Sequence, residues 1–416
     1  MEKILASIIT IGDELLIGQT IDTNSAWMAK ELNKAGIWVH RRVAVGDDRN
    51  AIIKALDEES ASAPIILITG GLGPTADDIT KPLLCEYFNG KMVVNPDALD
   101  NVMYIFEKML KRPLLERNLK QAEVPDTCTV IQNKRGTAPG MWFEKNGTVF
   151  VSMPGVPYEM MGMMTDDVIP QLLKIFTPSP VMHRTMLTAG LGESFIAERL
   201  VEFETGLPAH IKLAYLPDYG MVRLRLTSTG EQANETELDN HFNNLQALLA
   251  DALVTNEDEP LEQALGKLLL KRGKTMSTAE SCTGGYIAHL MTSIAGSSDY
   301  FKGSVVSYAN EIKETVLGVQ QNTLNTVGAV SEETVREMVT GVLKIMNTDF
   351  AVAVSGIMGP GGGTPEKPTG TVWMAVGNKT HTITRKIHFR FNRERNIRLT
   401  AMNALEMLRK FVLETE

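Results

Sequence analysis

Ser281 and Lys313 are the two side chains whose types and setting offer nucleophilic chemistry. Ser281 belongs to Ala279-Glu280-Ser281-Cys282-Thr283-Gly284-Gly285, where the run KTMST passes into the amphipathic YIAHLMTSI, so the serine falls at a strand-to-helix turn. Nucleophilic serines of hydrolases occupy such turns, with N–H groups of the following helix start, here around Gly284 and Gly285, at hand for an oxyanion. No histidine is an obvious base. Tyr308-Ala309-Asn310-Glu311-Ile312-Lys313 follows the next strand-like run, VVSY, which would carry Lys313 to the same sheet edge. Burial lowers a lysine's pKa, so a neutral amine becomes available as a base, and Tyr308 would orient or relay the proton. A blander reading of the same residues stays open, with Ser281 and Thr283 as helix caps and Lys313 solvated. Cys282 is the rival nucleophile, a small thiol to which nothing supplies a histidine.

A second constellation sets glycines beside carboxylates. Gly70-Gly71-Leu72-Gly73-Pro74-Thr75-Ala76-Asp77-Asp78 follows the apolar run IILIT. Gly70, Gly71 and Gly73 let backbone N–H groups approach a ligand, with Thr75 beside them, which makes this loop a candidate phosphate cradle. Asp77 and Asp78 would repel a bare pyrophosphate, and a divalent cation resolves that conflict. Asp13, in Gly12-Asp13-Glu14 at the end of the first apolar run, joins them in this reading on one oxygen-liganded ion of the magnesium or manganese class. Pro154-Gly155-Val156-Pro157-Tyr158-Glu159 ends a third run and brings Glu159 to the edge where parallel sheets bind ligands. Metal-assisted phosphoanhydride hydrolysis is the chemistry such a set supports. The alternative is that Asp77-Asp78 caps a helix and Asp13-Glu14 begins a turn.

The elements that must position these residues are visible as alternation. From Lys3 to about Phe176, ILASIITIG, TNSAWMAKELNKAG, IWVHRRVAV, RNAIIKALDEES and IILITGG predict a mostly parallel sheet covered by helices. Residues 156–176 predict a closing helix, and Thr177-Pro178-Ser179-Pro180 a linker. From about Met182 the pattern changes to a strand, the helix ESFIAERLVEF, a hairpin around Asp218-Tyr219-Gly220, and a long helix ending near Leu253. Alternation resumes after the turn-rich break at 255–260. These breaks predict domains at 1–176, 181–254 and 258–416, the middle one a spacer or dimerisation module. The glycine-rich stretch 356–370 lacks the Gly-Lys-Ser/Thr ending of a P-loop and reads as a backbone-lined pocket wall. Arg385, Lys386, Arg390, Arg393, Arg395 and Arg398 make the end of the chain locally basic; one or two would hold a substrate phosphate, the rest a solvated face.

Composition narrows the classes. Lys and Arg number 41 against 50 Asp and Glu, and the formal net charge of -9 argues against a nucleic-acid partner. Cys85, Cys128 and Cys282 are too far apart in sequence to suggest a disulfide framework or structural zinc. No apolar run approaches about 18 residues and the amino terminus is unlike a signal peptide, so a cytoplasmic location without a membrane partner is expected. A homodimer is the expected assembly.

Together these segments resemble the full-length CinA family, the competence/damage-inducible proteins, along essentially the whole chain. GDELLIGQTIDTN, GGLGPTADD, GTAPGMW and PGVPYEM are similar to its signatures in the first domain. AESCTGG, GSSDYFKGSVVSYANEIK, SGIMGPGGGTPEKPTGTVW and FNRERNIR are similar to those of the last. The resemblance implies an α/β chain of three parts: a molybdopterin-binding-like α/β domain of the MoaB and MogA type, a small α+β KH-like middle domain without implied RNA binding, and a C-terminal α/β amidohydrolase domain of the PncC type. It implies a metal-dependent ADP-ribose pyrophosphatase, forming AMP and ribose 5-phosphate, in the first part. In the last part it implies a nicotinamide mononucleotide deamidase that needs no cofactor, with Ser281 as nucleophile, Lys313 as its base, Tyr308 as an assisting hydroxyl and Arg395 contributing to substrate binding. The expected binding set is completed by Thr283, Gly284 and Gly285 there, and by Gly70, Gly71, Gly73, Thr75 and Glu159 in the first domain, where Asp77, Asp78 and Asp13 would hold the metal. Met358 stands where the family commonly has alanine and would narrow the deamidase pocket. Two rival functions are a non-enzymatic accessory factor in competence or recombination, which needs a broad basic surface, and a molybdopterin-like ligand-binding protein, which rests on fold alone.

Overall fold

The uninterrupted apolar runs Leu5–Ile11 and Ile65–Thr69 become central strands of a six-stranded sheet. In the computed structural model, which describes residues 3–75 and 78–415, the strand order is Trp38–Val45, Leu5–Ile11, Ile65–Thr69, Thr148–Met153, Gly140–Lys145, Thr129–Ile131. The pairings among the first four strands are parallel, and the other two are antiparallel. Alternate residues of the central strands meet different helices. Ala6, Ile8, Ile65 and Leu67 pack with Met28, Leu32, Met160 and Leu172, whereas Ile9, Ile11, Ile66 and Ile68 pack with Ile52, Leu56, Phe143 and Phe150. Burial on both faces is why these strands show no polar alternation. Helices Thr23–Lys34 and Arg49–Ser60 start on Asp22 and Asp48, whose carboxylates accept the Ser25 and Ala51 N–H groups at 2.9 Å. The register places Thr10 beside Thr69 and Thr69 beside Met153, so three parallel strands end together.

The helical segment expected from Val156 begins at Pro157 and runs as Pro157–Met163, a π-helical turn Met164–Val168, and Ile169–Ile175. Proline suits a first helical position because its missing N–H has no partner there in any case. The chain divides into two compact units, residues 1–182 with 228–233, and residues 183–227 with 234–416.

Beyond the first unit, Ile211–Asp218, Met221–Thr229, Val181–Ala189 and Leu253–Thr255 form a four-stranded sheet in that order. Its hairpin turns at Tyr219 and Gly220, both left-handed with φ of 40° and 82°, the turn geometry that matches strand twist. The helix expected to reach Leu253 stops at Leu248, and Leu253–Thr255 instead pairs antiparallel with the strand holding Leu187 and Thr188. A Leu-Val-Thr triplet fits a half-buried sheet position better than the end of a helix. Leu187, Ala189 and Met221 are buried in one core with Leu261, Met276, Val352, Leu405 and Phe411, so the middle segment shares its hydrophobic interior with the last one.

The remaining sheet has the order Phe301–Val306, Met276–Glu280, Phe350–Gly356, Thr371–Asn378, Thr382–His388, parallel over the first three strands and antiparallel over the rest. Helix Arg393–Glu414 covers one face, against Met276, Val352 and Val354. Helix Glu332–Met346 covers the other, against Ala279, Ala351 and Ala353. Glu280 lies in register with Val306 and Val354. Consequently the residues that follow, Ser281 and Ser307, leave the sheet at one edge beside Ser355. No helix of the described residues is long and apolar enough to cross a membrane.

Candidate functional site

At that edge the Lys313 Nζ lies in hydrogen-bond contact with Ser281 Oγ at 3.0 Å. Both side chains are buried, Lys313 to 1% exposure and Ser281 to 8%. The Ser281 backbone is fixed by its N–H on the Val354 carbonyl at 3.0 Å, and Ser307 N–H holds the Glu280 carbonyl at 2.8 Å. Lys313 also donates to the backbone carbonyls of Ser307 at 2.6 Å and Tyr308 at 3.4 Å. Among the described residues it has no carboxylate partner, and burial lowers its pKa below the ordinary lysine value, slightly opposed by Cys282. Two carbonyls and one hydroxyl suit a neutral amine well: its two N–H groups satisfy the carbonyls and its lone pair faces the serine proton. Lys313 and Ser281 therefore form the arrangement read from their types and setting. Burial pushes the Cys282 thiol up to about 12, opposite to the shift that makes a cysteine a nucleophile.

Tyr308 lines the same cavity as Ser281 and Lys313, its hydroxyl accepting from the Arg393 guanidinium at 3.0 Å and its backbone carbonyl accepting from Lys313. Other expected members of this site are placed differently. The N–H groups of Gly284 and Gly285 do not face the nucleophile. Gly284 N–H donates to the Ser281 carbonyl at 3.2 Å, and Gly285 N–H to the Glu280 carboxylate at 3.1 Å. The Thr283 hydroxyl donates to the same carboxylate at 2.7 Å. Glu280 explains the placement of Thr283 and Gly285. It is fully buried, and it also accepts the Ile287 and Ala288 N–H groups at 3.0 and 2.8 Å, so a carboxylate already occupies the start of helix Tyr286–Thr292 that an oxyanion would otherwise use. The amides of Cys282 and Thr283 donate to no other described residue and are the ones left beside the serine.

Arg395 is corrected as well. A cavity of about 200 Å³ is lined by Ser281, Lys313, Tyr308, Asn310, Met358 and Arg393 among others, and Arg395 is absent from its lining. Arg393 bridges the Tyr308 hydroxyl and the Gly359 carbonyl, the latter at 2.9 Å. Asn396, fully buried, ties the loop to the last helix by donating to the Met358 carbonyl at 3.1 Å. Met358 is buried in the cavity wall, and Ser355 donates to the Ala329 carbonyl at 2.7 Å.

In the first unit a cavity of about 400 Å³ opens where the parallel strands end. Gly70, Gly71 and Gly73 line it, as does Glu159. A Cβ at Gly70, whose φ is 113°, would stand 2.1 Å from the Ile11 carbonyl oxygen, so only glycine fits. The carboxylates in the lining are Glu14, Asp47, Asp78 and Glu159, and no lysine or arginine is among its described residues. Burial pushes the Glu159 carboxyl above its ordinary range, against a 2.6 Å hydrogen bond from Asn133. Lys81 lies buried nearby, donating to the Gln121 carbonyl at 2.9 Å, with its pKa lowered to about 8 chiefly by burial.

Of the metal set expected here, the two described members, Asp13 and Asp78, are each bonded within their own surroundings. Asp13 accepts the Asp47 N–H at 3.1 Å while Asp47 accepts the Asp13 N–H at 3.1 Å, so Asp13 faces that loop and does not line the cavity. Asp78 accepts both the Thr75 N–H at 2.9 Å and the Thr75 hydroxyl, closing the loop on itself and occupying Thr75. Asp77 lies outside the described residues. Among the described residues no three His, Cys, Asp or Glu side chains are placed to hold a metal ion. The donor chemistry of the lining suits a hard cation, but Asp13 and Asp78 as placed do not form its site.

Fold and sites define a chain in which an α/β domain with a glycine-walled cavity precedes a KH-like module and a serine-lysine α/β domain. Comparison with known proteins agrees part by part: the profile of the "Probable molybdopterin binding domain" matches residues 7–174, the "Damage-inducible protein CinA KH domain" residues 183–253, and the "CinA C-terminal domain" residues 258–412. A CinA-like protein of Flavobacterium psychrophilum is 47% identical over 412 residues, covering 98% of this chain and 99% of that protein. A CinA-like protein of Cytophaga hutchinsonii is 43% identical over 415 residues, covering 99% of each. The crystal structure of competence damage-inducible protein A from Klebsiella pneumoniae aligns at 34% identity and a TM-score of 0.36, covering 37% of this chain and 99% of that one. The chain belongs to the CinA family.

Proposed function

We propose that the carboxyl-terminal site hydrolyses the carboxamide of nicotinamide mononucleotide to nicotinic acid mononucleotide and ammonia. The observation that carries this reading is the buried 3.0 Å contact between Ser281 and a lysine without a carboxylate partner, a pairing suited to acyl transfer. Lys313 takes the Ser281 proton as Oγ attacks the carboxamide carbon. The oxyanion is held by the Cys282 and Thr283 amides. Collapse breaks the C–N bond, and the proton on Lys313 leaves with the amine as ammonia. Water, deprotonated by Lys313, then cleaves the Ser281 ester, releasing the acid and restoring the serine hydroxyl. The test is ammonia release from nicotinamide mononucleotide by the full chain in the presence of a chelator; no release would overturn the reading.

Arg393 holds the phosphate of that substrate in this reading, since it lines the cavity with a guanidinium bonded only to neutral acceptors among the described residues. Arg393→Ala should raise KM for the mononucleotide about 10- to 100-fold with a smaller fall in kcat, the pattern for loss of an interaction made equally in ground and transition states. Unchanged KM in steady-state kinetics would remove the arginine from the substrate site.

A second reading concerns the first unit, where the 400 Å³ cavity walled by Gly70, Gly71 and Gly73 supports binding of a diphosphate and its cleavage, ADP-ribose giving AMP and ribose 5-phosphate. Its four lining carboxylates would repel such an anion, and a divalent cation of the magnesium or manganese class would offset that charge. Chromatographic assay of ADP-ribose should show AMP formation that a chelator stops and added Mg or Mn restores. Cleavage that survives exhaustive chelation would exclude the cation.

A further inference from the structure

Arg385 and Arg395 lie in a different cavity, formed between the Asp218-Tyr219-Gly220 hairpin turn and the last helix. It measures about 660 Å³ and continues into a lobe of about 260 Å³ that shares Gly190, Tyr219, Met221, Arg385 and Asn403 with it. None of its lining residues lines the cavity at Ser281. We propose that this cavity is a second ligand site and that it takes a ribonucleoside phosphate.

Charge is the first argument. In the same unit Arg184, Arg199, Arg223, Arg336, Arg398 and Arg409 each meet a carboxylate, as expected of a chain with net charge -9. Arg385 and Arg395, like Arg225, Arg390 and Arg393, meet none among the described residues, and these two face one cavity. Arg395 is held over the Phe391 ring at 4.1 Å. Arg385 stands between Ile383 and Ile387 on the strand Thr382–His388, and those two neighbours on its side of the strand pack against the core. Both guanidiniums are exposed, so a ligand in the cavity can reach them.

The opposite wall supplies complementary donors. The N–H groups of Gly190, Leu191 and Gly192 have no acceptor among the described residues, and Gly190 is left-handed with φ of 87°, a backbone form that turns successive N–H groups toward an anion. Met221, Ile383, Met402 and Met407 give the inner lobe an apolar wall that accepts a flat base, beside Arg385, Glu406, Lys410 and Glu414 in the same lining. Glu193 and Asp218 also line the outer lobe. They would oppose a bare anion but accept hydrogen bonds from a ribose diol. Phosphate, sugar and base each have their partner, which is why the assignment is a nucleotide rather than free phosphate.

Calorimetric titration of the full chain with AMP, and separately with inorganic phosphate, tests this. Arg385→Ala and Arg395→Ala should each weaken the AMP-binding step about tenfold or more, as loss of a charge-assisted contact does, while Arg390→Ala, outside the cavity, leaves it unchanged. Photolabelling with 8-azido-AMP should mark the peptide holding Met402 and Met407. AMP binding indifferent to both substitutions, label confined to other peptides, or no binding up to about 10 mM would overturn the site and leave Arg385 as a charge guarding an exposed sheet edge. Phosphate binding as tightly as AMP would overturn the nucleoside assignment.

Discussion

Ser281→Ala should lower ammonia release from nicotinamide mononucleotide by about 10⁴- to 10⁶-fold, the range seen when a covalent nucleophile is deleted from a serine hydrolase. The structural effect of the same substitution is small. The hydroxyl touches only the Lys313 amine, and that amine keeps the Ser307 and Tyr308 carbonyls, so the loss is one hydrogen bond, about 1 kcal/mol. Thermal unfolding of the variant should therefore stay close to that of the wild type while turnover vanishes. AMP formation from ADP-ribose should be unaffected, because Ser281 and the glycine-walled cavity belong to different compact units. Ammonia release that persists at the wild-type rate in the variant would remove Ser281 from the chemistry. Cys282 would not inherit the role easily, since a thiol pushed up to about 12 contributes almost no thiolate near pH 7. Equal loss of both activities would contradict the separation of the two sites.

Ser281 and Lys313 were legible because Ser281 follows directly on one strand of a parallel sheet and Lys313 lies in the short helix Asn310–Thr315 after the neighbouring strand, and parallel strands deliver the residues beyond their ends to a common edge. What surrounds them was not legible, for reasons of phase and long range. Arg393 and Arg395 stand in the same helical turn. Which of them faces the serine is set by Asn392, whose side chain accepts the Arg395 N–H at 2.9 Å and fixes where the helix begins. Gly284 and Gly285 looked free because a helix start normally has spare N–H groups; the Ser281 carbonyl takes the Gly284 N–H, and Glu280, the last residue of the strand, folds under that start and takes the Gly285 N–H with those of Ile287 and Ala288. The signal was present as a carboxylate in an otherwise apolar and small-residue strand end, Met276–Glu280. In the first unit the glycines were readable from their run after an apolar strand. The fate of Asp13 was not, because it depends on Asp47, 34 residues away in sequence. The helix that stops at Leu248 shows the same limit, since only the partner strand at Leu187 and Thr188 decides that Leu253–Thr255 is extended.

Replacing Lys313 tests the electrostatic half of the mechanism. Lys313→Met keeps the length and apolar stem of the side chain but removes the base, and ammonia release should fall by about 10³-fold or more. In the wild type, the neutral amine is the active form, so kcat/KM should rise with pH along the titration of Lys313. Because burial lowers that pKa from the ordinary 10.5, the rising limb should lie below the usual lysine range, and the residual rate of the variant should lack it. Stability moves with the same proton. A lysine whose folded pKa is depressed binds fewer protons folded than unfolded in the interval between the two values, so its contribution to the unfolding free energy grows as pH rises through that interval. Below it, the cost of burying the charge is fully present. Denaturant titrations at several pH values should show the wild type gaining stability relative to Lys313→Met as pH increases, from the folded pKa up to about 10.4. A rising limb that follows an ordinary lysine, or a stability difference independent of pH, would mean that the amine stays charged in the folded chain. A charged amine has no lone pair for the Ser281 proton, and the hydroxyl would then need another base.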